Sequence, residues 1–129
     1  MNRLASVVLV AAVGAVGVLA ADHTTDTLAT MKANVTTGKA VVVDVREAAE
    51  WADGHLTVAK HLPLSDLKAG LPADKLKAAL PEGKIVYLHC AAGGRCKLAA
   101  DLLKGKGYDL RPLRDGYDAL VKAGFEPAK

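Results

Sequence analysis

The sequence predicts an α/β fold in which a small central parallel sheet is flanked by helices. Residues 41–45 and 85–88 are short runs with the composition of strands that are buried on both faces. Amphipathic segments that end near glycines alternate with these runs along the chain. Because strands that alternate with helices are joined by crossover connections, we expect the strands to be parallel. The chain has 129 residues, which is room for one domain with a real core.

The first half of the chain is predicted to form several short elements. Leu28, Met31 and Val35 recur at helical spacing, with Asp26 near the start and Gly38 after the end. The elements predicted after this first helix are, in chain order, a strand over residues 41–45, a helical turn over 47–52 stopped by Asp53-Gly54, an extended piece over 55–56 and 61–64, a helix capped by Ser65 or Asp66 before Gly70, and a helix over 74–80.

The second half of the chain contains a strand, a loop of small residues and a helix. The strand is predicted over residues 85–88 and the helix over 97–104. A further strand is predicted over 110–113, where Pro112 indicates a sheet edge or a strand end because proline cannot donate to a ladder. Residues 116–121 are predicted to form the last helix.

The amino terminus has the pattern of a secretory signal peptide. Arg3 precedes an uncharged run over residues 4–21, and Val18-Leu19-Ala20 offers a small-residue cleavage site. We therefore expect residues 1–20 to be removed by cleavage near Ala20, leaving a domain over residues 22–129 that is periplasmic or secreted. The alternative is an uncleaved membrane anchor, which the high Ala and Gly content of the run disfavours.

Composition and histidine placement exclude several classes of function. The net charge is +3, the lysines are scattered and no basic block interleaves with aromatic residues, so nucleic-acid binding is not indicated. His55 and His61 lie among Leu, Ala and Pro and are expected to be structural, while His23 is expected in a flexible new amino terminus. The spacing of His55, His61, His89 and Cys90 along the chain is not that of a zinc-binding motif, so no metal site is predicted.

The loop from Cys90 to Arg95 is the strongest sign of catalysis. It joins the 85–88 strand to the following helix and contains only Ala91, Ala92, Gly93 and Gly94 between its ends. Backbone N–H groups in such a loop point at the sulfur and lower the pKa of a thiol from its usual value of about 8.5. Three interpretations are open: sulfur transfer through a persulfide on Cys90, phosphate or arsenate chemistry in the same cradle, and a merely packed cysteine.

Four segments in order resemble the rhodanese family, over roughly residues 41–124. They are Asp44-Val45-Arg46 with Glu50-Trp51, Gly54-His55-Leu56 followed by Ala59 and His61-Leu62-Pro63, the active loop with Cys90, Gly93 and Arg95, and residues 113–117 with Ala123-Gly124.

The resemblance implies a sulfurtransferase that needs no metal or organic cofactor. Cys90 would be the catalytic nucleophile, residues 91–96 would bind the substrate, and three residues would support the site: Asp44, Arg46 and Glu50. The implied reactants are a small donor such as thiosulfate and a thiol or cyanide acceptor, with a protein thiol as a further partner, and a monomer is the default. Related phosphatases have a loop one residue longer, which disfavours phosphate chemistry. A non-catalytic module that carries sulfur or binds a partner is the other alternative.

Two residues of the loop have open roles. Arg95 either balances an anionic donor or forms a structural ion pair with Asp44 or Glu50. Cys96 stands where related loops commonly have Ser or Thr, and it either exchanges with Cys90 as a redox partner or is a small, partly buried residue at a helix start. A purely structural disulfide between these cysteines is disfavoured, because the ring that it would close is very small.

Overall fold

The computed structural model describes residues 21–129 and contains a four-stranded sheet in which every strand pairing is parallel. The strand order is β2-β1-β3-β4. The bounds of the elements are α1 Leu28–Thr36, β1 Ala40–Asp44, α2 Ala48–Asp53, β2 Ala59–His61, α3 Leu64–Ala69, α4 Ala73–Ala79, β3 Ile85–His89, α5 Gly94–Leu103, β4 Asp109–Pro112 and α6 Tyr117–Lys122. The predicted α/β architecture is confirmed. The predicted signal peptide, residues 1–20, lies outside the described residues.

Each face of the sheet carries its own hydrophobic cluster, because alternate side chains of a strand point to opposite faces. Val43 and Leu88 pack with the buried residues of α3, α4 and α5. Val42 and Tyr87 pack on the other face with α1 and α6. The sheet is thus covered on both sides, as the apolar runs 40–43 of β1 and 85–88 of β3 require.

Several element boundaries differ from the prediction. Helix α5 begins at Gly94 rather than at residue 97, so Arg95 and Cys96 lie in its first turn. The extended piece predicted over 61–64 is wrong: β2 ends at His61, and Leu64 already begins α3. Ser65 does not cap α3, whose N-cap is Pro63; instead the Ser65 hydroxyl donates to Glu47.

The edge strand β4 ends at Pro112, as the missing N–H of proline predicted. Its last carbonyl accepts a hydrogen bond from the Thr24 N–H at 2.7 Å. The segment that precedes α1 therefore lies against this edge of the sheet.

Candidate active site

The site lies where β1 and β3 end side by side. Asp44 and His89 are partners in the parallel register of the two strands, and the Val45 N–H donates to the His89 carbonyl at 3.0 Å. Cys90 follows β3 directly, and its carbonyl accepts from the Tyr117 N–H at 3.1 Å. These bonds fix the backbone on both sides of the sulfur.

The sulfur of Cys90 is held in a cradle of backbone N–H groups. The Gly93 N–H donates to it at 3.0 Å. The pKa of Cys90 is lowered to about 4 by hydrogen bonds from the Cys96 thiol and from the N–H groups of Cys96, Gly93 and Ala92, although burial opposes the shift. The thiol is therefore a thiolate at neutral pH, even though the residue is only 1% exposed.

Two glycines allow the loop to form. Gly93 has a φ of +91°, in the left-handed region that side chains rarely adopt, and a Cβ there would lie 2.9 Å from the Arg114 carbonyl oxygen. A Cβ on Gly116 would lie 1.9 Å from the Ala91 carbonyl oxygen. Residue 116 must therefore be glycine for the segment before α6 to approach the active loop this closely. The close approach of these backbones sets the shape of the cradle.

Cys96 is fully buried beside the cradle, rather than partly buried as the structural interpretation had it. Its sulfur lies 3.1 Å from the carbonyl oxygens of both Gly93 and Leu113, and it also hydrogen-bonds to Cys90. One thiol proton thus has three acceptors close by. The negative sulfur of Cys90 and burial together raise the pKa of Cys96, which keeps that proton in place. Both thiols are free.

Arg95 faces Glu50 across the mouth of the loop. Its two terminal nitrogens donate to the two carboxylate oxygens at 2.6 and 2.9 Å. Hydrogen bonding to Arg95 lowers the pKa of Glu50 to about 2. The geometry matches the ion pair expected with Glu50, while Asp44, the other acid considered, pairs with Arg46 instead.

Asp44 and Arg46 form a buried pair beneath the site. The Arg46 guanidinium donates to the Asp44 carboxylate at 2.8 Å and to the Gly54 carbonyl at 2.7 Å, and it stacks over the Tyr117 ring at 4.6 Å. His89 lies behind Cys90 with no exposed surface, and its Nε2 is 3.7 Å from Asp44. Burial lowers the pKa of His89, so this imidazole is neutral near pH 7.

Two other histidines are structural, as predicted. His55 Nδ1 is 2.9 Å from the Trp51 carbonyl oxygen, and His61 Nε2 is 2.8 Å from the Arg46 carbonyl oxygen. The Trp51 ring stacks on both imidazoles and lies outside the two core clusters. Within residues 21–129 no group of histidine, cysteine and acidic side chains has the arrangement of a metal site.

The placement expected for His23 is wrong. Its Nε2 is 2.6 Å from the Gly93 carbonyl oxygen, so the side chain contacts the active loop instead of belonging to a flexible terminus. The sequence offers no local signal for this contact, because the two residues are 70 positions apart. The other site residues follow from local motifs.

Two cavities lie away from the cysteine. Both lie near the amino-terminal ends of β3 and β4. The first has a volume of about 430 Å³ and is lined by residues that include Lys84, and the second has a volume of about 180 Å³ and is lined by residues that include Tyr108.

Comparison with known proteins identifies the family of the chain. The Rhodanese-like domain family matches residues 27–123. A tRNA sulfurtransferase of Desulfurococcus amylolyticus is 35% identical over 92 residues, which is 71% of this chain and 17% of that much longer protein. The chain belongs to the rhodanese-like family.

Solved structures show the same fold. The human single-domain sulfurtransferase superposes with a TM-score of 0.65 at 23% identity, covering 76% of this chain and 95% of that one. A Helicobacter pylori protein is 33% identical, with a TM-score of 0.58 and coverage of 70% of this chain and 79% of that one. Within the described residues no helix has the length and apolarity to cross a membrane.

Proposed function

We propose that the protein is a sulfurtransferase that carries sulfane sulfur on Cys90 as a persulfide. The donor is a small sulfur compound such as thiosulfate, and the acceptor is a thiol or cyanide. The observation that carries the proposal is the Cys90 thiolate, held by N–H groups of its own loop in a chain of the rhodanese-like family. An ionised, fixed sulfur is the nucleophile that such a transfer requires.

The first half-reaction loads the enzyme. The Cys90 thiolate attacks the outer sulfur of thiosulfate and forms a new S–S bond. The bond between the two donor sulfurs breaks, and sulfite leaves with the electron pair. No proton is transferred, because the nucleophile is already ionised at neutral pH.

The second half-reaction returns the enzyme to its starting state. A thiolate or cyanide attacks the terminal sulfur of the persulfide and takes it away as a new persulfide or as thiocyanate. The Cys90 thiolate leaves, and the same N–H groups that held it before take up its charge again. In the loaded state these groups instead stabilise the negative terminal sulfur.

Arg95 serves this chemistry as a brace. Both of its terminal nitrogens are engaged by Glu50, so its charge is largely neutralised before any donor arrives. Ala91 and Ala92 add no charge at the exposed part of the loop. The loop from Cys90 to Arg95 is one residue shorter than in the related phosphatases, which favours sulfur transfer over phosphatase or arsenate reductase activity.

The similarity to the Desulfurococcus amylolyticus tRNA sulfurtransferase supports sulfur transfer, but it does not support a nucleic acid as the substrate. The tRNA in its name belongs to a protein of which the alignment spans only 17%. The mild net charge of +3 and the scattered lysines favour a small thiol or a protein thiol as the acceptor instead. We also propose that the protein is exported, with residues 1–20 as a cleaved leader, and that it acts as a monomer.

Steady-state formation of thiocyanate from thiosulfate and cyanide tests the activity. Varying both substrates should give parallel double-reciprocal lines, the pattern of double displacement. Cys90→Ser should abolish turnover, while Cys96→Ser, which keeps a donor at the neighbouring position, should retain it. Turnover in the Cys90→Ser protein, or phosphate-ester hydrolysis without thiocyanate formation, would refute the proposal. A folded, thiol-reactive protein that cannot be loaded by any persulfide donor would indicate a binding module.

A further inference from the structure

The segment before α1 forms a strap, residues 21–24, that lies between α5, β4 and the active loop. The Ala21 backbone nitrogen is 2.8 Å from the Asp101 carboxylate of α5, and the Thr24 N–H donates to the Pro112 carbonyl. Ala21 also packs against the hydrophobic cluster that contains Cys90 and Cys96. The strap is therefore anchored at both of its ends.

Between these anchors, His23 holds the Gly93 peptide. Because a carbonyl only accepts hydrogen bonds, His23 must donate from Nε2 to the Gly93 oxygen, over 2.6 Å. The same oxygen accepts from the Cys96 thiol, and the N–H of Gly93 donates to the Cys90 sulfur. His23 thus contacts the residue whose N–H donates to the nucleophile, and it acts as a positioning residue.

Ala21 is also the residue that follows the predicted cleavage site after Ala20. In the uncut chain its nitrogen is an amide N–H. Hydrolysis of the Ala20–Ala21 bond consumes one water, leaves a carboxylate on Ala20 and gives Ala21 an α-ammonium at neutral pH. That charge would form where the Asp101 carboxylate already lies at 2.8 Å.

Asp101 already has one cationic neighbour, Lys104, and can accept the Ala21 ammonium as a second. Its carboxylate is 22% exposed, and Lys104, at 3.6 Å, has a side chain that is 64% exposed. The Ala21–Asp101 contact is shorter and less exposed to water than the Lys104 pair, so screening weakens it less.

We propose that leader cleavage between Ala20 and Ala21 creates an ammonium that pairs with Asp101 and thereby strengthens the hold of the strap, and with it of His23, on the active loop. Maturation by a signal peptidase would then stabilise the cradle of Cys90 as well as release the protein. The inference rests on the proposed export and on the proposed role of Cys90.

The test compares two forms of the folded domain. The mature form begins at Ala21, and the extended form carries Gly-Ser before it, which keeps the Ala21 N–H but moves the charge away. Each form is made with Asp101 or with Asp101→Asn, and Asp74→Asn on the exposed side of α4 is the matched control.

We expect the mature form to melt about 2–5 °C above the extended form. The difference should vanish with Asp101→Asn and persist with Asp74→Asn. Equal melting temperatures of the two forms, or a difference that survives Asp101→Asn, would overturn the ion pair. An exported protein whose first residue is not Ala21, determined by intact mass, would overturn the cleavage site.

A second readout tests the link to the nucleophile. His23→Ala should raise the pH midpoint of Cys90 alkylation by iodoacetamide by about one unit, and His23→Gln, which keeps an N–H donor, should restore it. An unchanged midpoint in His23→Ala would overturn the positioning role. Neither readout requires sulfur transfer, so failure of this inference and failure of the proposed function are distinguishable.

Discussion

The sulfur of Cys90 is almost completely buried, and burial alone would raise the pKa of a thiol. Hydrogen bonds from the Cys96 side chain and from three backbone N–H groups outweigh this effect and set the pKa at about 4. The balance depends on donors aimed at one atom. Their removal should therefore be measurable at the residue itself.

Cys96 contributes the first of these donors, so Cys96→Ala should raise the pKa of Cys90 by about one to two units. Cys96→Ser is the matched control, because its hydroxyl can donate to the same neighbours. The measurement is the rate of alkylation of Cys90 against pH in reducing buffer, with an expected midpoint of about 4 for the parent. A parent midpoint near 8, or equal midpoints for the Ala and Ser variants, would contradict this account of the thiolate.

Arg95 is the residue whose role differs most between the two interpretations of the loop. Because Glu50 occupies both terminal nitrogens, Arg95→Ala should leave the KM for thiosulfate within about twofold, and remove up to about 1 kcal/mol of stability, since the pair is about one-third exposed. Glu50→Gln should behave similarly. A tenfold rise in KM at unchanged melting temperature would show instead that Arg95 binds the donor.

At the scale of elements, the junction of β3 and α5 depends on the conformation of one glycine. Gly93→Ala should cost about 1–3 kcal/mol, because the residue is left-handed and its Cβ would meet the Arg114 carbonyl. It should also raise the pKa of Cys90, because the N–H of residue 93 would move away from the sulfur.

Gly94→Ala is the matched control for this prediction. Nothing lies within 4 Å of a Cβ at Gly94, which is the first residue of α5, so alanine should be neutral or stabilise by up to about 1 kcal/mol. Urea unfolding and the alkylation midpoint of both variants check the pair. Equal losses in the two variants would mean that the loop tolerates no side chain for some other reason.

The secondary-structure elements that the sequence predicted correctly are those that depend on neighbouring residues alone. The boundaries that it predicted wrongly depend on tertiary packing or on a single poor helix former. The central strands β1 and β3 were predictable, because burial on both faces demands an unbroken apolar run. The edge strand β2 has only three residues. Leu62, in a loop, and Leu64, in α3, are both buried, so their apolar pattern resembles the continuation of a strand. The start of α5 was missed because glycine, a poor helix former, occupies its first position.

The candidate site shows the same division. Cys90, its loop and the supporting residues Asp44, Arg46 and Glu50 belong to short motifs, so the sequence alone indicated them. The pairing of Asp44 with Arg46 was not predicted, and Glu50 was one of two acids considered for Arg95. The contact of His23 with Gly93 depends on how the chain returns to the edge of the sheet after 70 residues. Neither a hydrophobic periodicity nor a sequence motif predicts a contact of this kind.

At the scale of the whole molecule, the lowered pKa of Cys90 links stability to pH. The unfolded thiol titrates near 8.5, and the folded one at about 4. The unfolded state thus binds more protons in between, so the contribution of Cys90 to stability is fully present above about pH 8.5 and is lost as the pH falls towards 4.

Cys90→Ala isolates this contribution. The free energy of unfolding of the parent minus that of the variant should decrease steadily from pH 8.5 to pH 6.5, measured by urea unfolding with a reductant present. Protonation of His89 in the unfolded state lowers the stability only below about pH 6.5, which is outside this range. A difference that does not change with pH would mean that the folded thiol is not ionised.

The central claim is that Cys90 carries sulfur, and the intact mass of the reduced protein after incubation with thiosulfate tests it most directly. We expect a gain of one sulfur atom that cyanide reverses, that Cys96→Ser retains and that Cys90→Ala abolishes. No added sulfur on a protein whose Cys90 remains reactive to iodoacetamide, or a gain that persists in Cys90→Ala, would contradict it.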